Sequence, residues 1–150
     1  MHHIDDSLGF ILNHAGRRLT LLLALRYQPY DITTEQWSVL NRLYEQDGIS
    51  QKELSRRAEK DQTNITRILD QLERKGLAER KANEADRRSF LAFITPKGRE
   101  LNETLLPIEN EVIRLVQDGM TEEEVALLRR LLKKLTHAAE EAIQEMGEQS

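Results

Sequence analysis

The stretch Asp61 to Lys75, DQTNITRILDQLERK, decides how the rest of the chain is read. Ile65, Ile68, Leu69 and Leu72 recur at helical spacing, which predicts a helix with one apolar face that has to be buried. At roughly 100° per residue the opposite face carries Thr63, Arg67 and Arg74, flanked by Asn64, Thr66 and Gln71. Hydroxyl, amide and guanidinium groups gathered on one face are the groups that pair with base edges and phosphates in a DNA major groove.

Working outward, Ser50-Gln51-Lys52-Glu53 has the pattern of a capping box opening a short helix with Leu54 and Ala58 inward. Only Glu59 and Lys60 then precede Asp61, a good N-cap for the next helix, and this is helix-turn-helix spacing. Downstream, Gly76 predicts a helix stop, followed by LAERKA (Leu77–Ala82), a polar turn over Asn83–Asp86, and RRSFLAFI (Arg87–Ile94). The β-favouring second half of that segment predicts a hairpin. Two short helices followed by a hairpin with arginines at its tip describe a winged helix-turn-helix.

Three blocks carry a family resemblance. ITTEQWSVL (Ile32–Leu40), ISQKELSRRAEKDQTNITRILDQLERKGLAER (Ile49–Arg80) and DRRSFLAFITPKG (Asp86–Gly98) resemble, in order, the signature blocks of the multiple-antibiotic-resistance regulator (MarR) family. The resemblance implies a homodimer built from the terminal helices and a transcriptional regulator of double-stranded DNA with a pseudo-palindromic operator. It implies, most simply, a repressor released by a small anionic or aromatic effector. The family's peroxide-sensing cysteine has no counterpart here, since the chain has no cysteine.

The flanks read as helices. Ser7 is placed to cap a helix with the stripe Leu8, Ile11, Leu12, Ala15, Leu19, Leu22 and Leu23, and with further apolar residues at Phe10, Leu21, Ala24 and Leu25. A helix apolar on more than one face is expected to be buried from two sides. Gln28-Pro29-Tyr30-Asp31 ends it, and Thr33 with Gln36 predicts a capping box for a helix packing through Trp37, Leu40 and Leu43. After the hairpin, Thr95-Pro96 predicts a helix start, with Leu101, Leu105, Ile108, Val112 and Leu115 inward. Thr121 with Glu124 predicts another capping box. Val125, Leu128, Leu132, Leu135, Ala139, Ala142 and Met146 then alternate in steps of three and four, a heptad seam. The expected organisation is mainly α with a small β-hairpin wing. One subunit spans 1–150, with the winged helix-turn-helix over 32–98 and helical dimerisation parts over 7–28 and 96–146. The seam packing on the N-terminal helix of its own chain is the other arrangement the pattern allows.

Composition bounds the rest. The absence of cysteine fits a reducing compartment and removes thiolate chemistry. The longest nearly apolar run, Leu19–Leu25, is too short to span a bilayer, and Asp5 and Asp6 stand where a signal peptide would be positive, so a cytoplasmic location is expected. The net charge of −4 argues by itself against DNA. Its distribution reverses that argument, because residues 50–100 hold thirteen Lys and Arg against nine Asp and Glu, and the remainder nine against seventeen.

Candidate DNA contacts are Lys60, Gln62, Thr63, Asn64, Thr66 and Arg67, at and before the start of the reading helix, together with Arg87 and Arg88 at the wing tip. Asp86 matches the family's aspartate-arginine wing motif and is expected to orient one of the two guanidinium groups, which would enter the minor groove. Asp70 and Arg74, four apart, read as an exposed helix pair or a phosphate-side contact. Arg18, Tyr27 and Trp37 are the candidate effector residues, near the junction where the family commonly holds its ligand, with Trp37 as core and Tyr27 as rim the plainer reading. His2, His3, His14 and His137 lack zinc-ligand spacing, so no metal or other cofactor is expected. No nucleophile elbow or glycine-rich phosphate loop suggests an enzyme. The alternative function is a winged-helix protein whose main role is ligand sensing, metal sensing or protein interaction.

Overall fold

The computed structural model describes residues 3–149. Its helices are α1 (Leu8–Tyr27), α2 (Thr34–Glu45), α3 (Gln51–Ala58), α4 (Gln62–Arg74), α5 (Pro96–Gln117) and α6 (Glu122–Glu148), and its strands β1 (Ile49–Ser50), β2 (Ala78–Ala82) and β3 (Phe90–Ile94). One-turn 3-10 helices at Ile4–Asp6 and Gln28–Tyr30 flank α1. The chain divides into two compact units, Met1–Val112 and Ile113–Ser150.

Within the first unit the helix starts follow from local chemistry. Ser7, Thr33, Ser50 and Asp61 each accept a backbone N–H from three residues on, which satisfies one of the donors a helix leaves open. Thr33 and Gln36 form the full capping box. At Ser50 only half of the expected box exists, because the Glu53 carboxylate turns to Arg56 and Arg57 instead of back to Ser50. Those two guanidinium groups hold the Glu53 carboxyl down to about 2.

Ser50 has a second role that the sequence did not announce. With Ile49 it forms β1, so the wing is a three-stranded antiparallel sheet, ordered β1-β3-β2, with Ile49 opposite Ala92 and Ala82 opposite Phe90. Beyond the short β1, the Asp47 carboxylate accepts the Ile94 N–H at 2.9 Å and stands in for a strand carbonyl.

The core gathers Val39, Leu40 and Leu43 of α2, Leu54 of α3, Ile65, Ile68, Leu69 and Leu72 of α4, Ala92 and Ile94 of β3, and Leu105 of α5. Complete burial of the four α4 residues fixes which face of that helix is left for solvent. Helix α4 ends in a Schellman turn, with Gly76 at φ +73° and the Leu77 N–H reaching the Leu72 carbonyl at 2.9 Å. Thr95 then accepts the Gly98 N–H and donates to the Gly76 carbonyl at 2.6 Å, tying the start of α5 to the end of α4. Gly98 is pressed against the Leu77 carbonyl, 2.1 Å from where a Cβ would stand.

Gln36 joins two helices. Its Oε1 accepts the Thr33 N–H at 3.2 Å and Lys75 Nζ at 3.0 Å, while its Nε2 donates to Gln71 at 3.0 Å. The capping box of α2 and the last turn of α4 therefore share one side chain, only 6% exposed.

The terminal helices keep much of their apolar surface uncovered in the single chain. Helix α1 buries only Tyr27, and Leu8, Ile11, Leu21 and Leu25 are exposed. In the second unit, Thr121 and Glu124 form the expected capping box, and α6 buries none of its residues. Leu128, Leu132, Leu135 and Met146 of the seam are exposed, as is Leu115 of α5, which the pattern placed inward. No helix among the described residues is long and apolar enough to cross a membrane.

Candidate nucleic-acid interface

Helix α4 presents its polar side to solvent because the opposite side is wholly buried. Gln62, Thr63 and Arg67 are exposed there, and Asn64 and Thr66 are half-buried. The Thr66 hydroxyl donates to the Gln62 carbonyl at 2.8 Å and accepts from Gln51 Nε2 at 2.7 Å, so its polar capacity is largely committed to the α3–α4 junction. Lys60 lies in the turn, where its backbone N–H and carbonyl are both held by Ser55. Glu59 makes the turn possible by adopting φ +53°.

The wing tip, Asn83–Ser89, is a closed loop. Asn83 and Ser89 pair through backbone and side chains, and the Asn83 Oδ1 accepts the Ala85 N–H. Asp86 accepts the Arg88 backbone N–H at 3.0 Å. The aspartate thus shapes the loop that carries Arg87 and Arg88, and does not grip a guanidinium as the wing motif led us to expect. Both arginines are exposed.

Between helix and wing lies a contact that sequence reasoning missed. Arg80 of β2 makes a bidentate pair with Glu73, at 3.0 and 3.1 Å, and a further hydrogen bond to Asp70. Its backbone N–H also reaches Glu73 at 2.8 Å. These hydrogen bonds hold the Glu73 carboxyl below the usual carboxylate range, and Glu73 in turn raises the Arg80 guanidinium. Asp70 is therefore paired across to the wing and not with Arg74, which stays exposed. Asp70 and Glu73 stand three apart on α4 with Arg80 seven beyond, a signal that the hairpin prediction already contained.

The three effector candidates do not come together. Tyr27 is fully buried, its hydroxyl donating to the Leu105 carbonyl at 3.3 Å, and burial pushes its phenol upward in pKa. It is core and not rim. Trp37 packs edge-on against it at 5.5 Å, with a buried indole N–H that has no acceptor. Arg18 is exposed and lies nine residues before Tyr27 in the same helix, about half a turn out of phase and so on the opposite side. An open cleft of about 710 Å³ lies instead beside the end of α4, lined by the cations Arg74, Lys75 and Lys97, the carboxylates of Asp31 and Glu100, and apolar residues that include Leu77 and Leu101.

Of the histidines, His2 lies outside the described residues, His14 stacks on Phe10, and His137 pairs with Glu141 at 3.2 Å. Among the described residues no three His, Asp or Glu converge on a point where a metal could sit.

Comparison with known proteins places this geometry. Residues 32–90 match the model of the MarR family. A probable transcriptional regulator from Pseudomonas aeruginosa is similar at 32% identity, over 89% of this chain and 99% of that one, with a TM-score of 0.81. Wild-type MarR from E. coli, in its apo form, shows 31% identity over 86% of this chain and 96% of its own, with a TM-score of 0.75. A mutant of E. coli MarR complexed with operator DNA shows 29% identity over 89% and 99%, with a TM-score of 0.84. Sharing the winged helix-turn-helix and near-complete coverage with these proteins, the chain belongs to the MarR family.

Proposed function

We propose that the protein is a sequence-specific, double-stranded DNA-binding transcriptional regulator that works as a homodimeric repressor in the cytoplasm and is released by a small molecule. The observation that carries this reading is the division of α4 into a completely buried apolar face and an exposed face bearing Gln62, Thr63, Asn64 and Arg67, with Arg87 and Arg88 exposed on the neighbouring wing. The similar E. coli protein bound to operator DNA supports it. Support for a dimer comes from the apolar seam that α6 leaves in solvent and from the exposed leucines of α1, more than a lone subunit ordinarily displays. The effector site moves from Arg18, Tyr27 and Trp37 to the cleft beside Lys75 and Lys97, where three cations against the carboxylates of Asp31 and Glu100, beside two leucines, suit a small anion with an apolar body.

The test is to select duplexes from a random-sequence pool and compare the enriched duplex with its scramble across a salt series. Arg67→Ala should cost about 1 to 3 kcal/mol on the enriched duplex and relax preference at one position per half-site. Arg87→Ala with Arg88→Ala should weaken both duplexes and flatten the salt dependence. Failure to enrich any sequence refutes the function. Equal loss on both duplexes from Arg67→Ala makes that residue a phosphate contact.

A further inference from the structure

Arg67 is engaged within the protein itself. Its Nη2 donates to Asn64 Oδ1 on its own helix and to Glu35 Oε2 at 3.3 Å, in the first turn of α2. That nitrogen carries two hydrogens, so both are occupied. A guanidinium has two bidentate edges, Nη1 with Nη2 and Nε with Nη2, and each of them needs Nη2. Arg67 therefore cannot take the two acceptors of a guanine edge until one partner leaves.

The two partners differ. Asn64 belongs to the same helical turn and travels with Arg67. Glu35 comes from another helix, carries a full charge, and sits at a helix N-terminus that favours it. Its side chain and that of Arg67 are each 51% exposed, so the carboxylate looks onto the same solvent as the reading face.

We propose that Glu35 is a specificity-determining residue of the DNA-reading surface, holding Arg67 in a pair that an uncharged two-acceptor base edge replaces on better terms than an anionic phosphate does. This rests on the DNA-reading function above. A phosphate, whether it meets Arg67 with one oxygen or two, brings a negative charge that the nearby Glu35 carboxylate repels, whereas a guanine edge brings none. A guanine edge offers two hydrogen bonds in exchange for the one to Glu35. The carboxylate thus weakens contacts made by charge alone more than contacts made by base recognition.

The experiment uses full-length protein, the duplex enriched by the wild type from a random pool, and the same duplex scrambled. Glu35→Gln keeps size and an acceptor oxygen while removing the charge. It should tighten binding to the scramble about two- to fivefold, the range an exposed ion pair spans, and change the enriched duplex less, so that discrimination falls. In the Arg67→Ala background Glu35→Gln should leave discrimination where it was. An unchanged ratio in the single variant overturns the proposal. So does an equal gain on both duplexes that persists without Arg67, since Glu35 would then be only a repulsive charge. A wild type that enriches no sequence is a different failure, because it removes the DNA-reading function and this inference together.

Discussion

Replacing Gly98 with alanine puts two physical effects in opposition. Within a helix, Gly→Ala ordinarily stabilises by about 0.5 to 1 kcal/mol through reduced backbone entropy. Here the new Cβ would stand 2.1 Å from the Leu77 carbonyl oxygen and 3.0 Å from Ile94 Cγ1. Ordinary contact begins near 3.4 Å, so helix and carbonyl must separate by about 1.3 Å, and the obstacle is backbone with no rotamer to yield. The same carbonyl accepts the Thr95 N–H at 3.1 Å, a bond that the displacement strains. Overpacking costs about 1 to 3 kcal/mol and a lost hydrogen bond about 1, so the net expectation is a destabilisation of about 1 to 3 kcal/mol. Urea unfolding at fixed protein concentration measures it, since an oligomer's midpoint moves with concentration. An alanine variant as stable as the wild type, or more so, would refute the close approach of α5 to the β2 edge.

Arg80→Ala should lower stability by about 1 to 2 kcal/mol at pH 7, given the partial exposure of its partners. Because the Glu73 carboxyl is depressed in the folded protein, its contribution is present above the unfolded carboxylate range near pH 4 and is lost as pH falls through the lower folded value. Urea midpoints of wild type and variant should therefore converge in acid, and a constant gap down to pH 2 would contradict the pairing. Leu132→Asp with Leu135→Asp should dissociate or unfold the protein, because unpaired charge in a seam costs several kcal/mol. Sedimentation of a folded, stable wild-type monomer at micromolar concentration would rule out the dimer on which that expectation rests.

What the sequence made legible was local. The caps at Ser7, Thr33, Ser50, Asp61 and Thr121 lie three residues from their partners, and the α4 stripe repeats within a few turns, so spacing alone locates them. What it hid was set by tertiary approach. Glu35 meets Arg67 across thirty-two positions, Asp47 meets Ile94 across forty-seven, and β1 is two residues long, too short for any period to declare itself. The Glu53 box failed because a carboxylate with two arginines three and four residues on has stronger partners than an amide. The effector trio failed differently. Arg18 and Tyr27 share a helix nine residues apart, and helical phase alone puts them on opposite sides.

The shared side chain of Gln36 has a mechanical meaning. Because one amide closes the cap of α2 and also holds the last turn of α4, moving that turn away from Gln36 would break its bonds to Gln71 and Lys75 and pull on the cap of α2 in the same movement. The end of one helix and the start of the other are thus joined at a single side chain, with Glu35 one residue from it. Lys75, on the rim of the cleft, is bonded directly to the chain neighbour of the residue that holds Arg67, with none of the buried leucines between them.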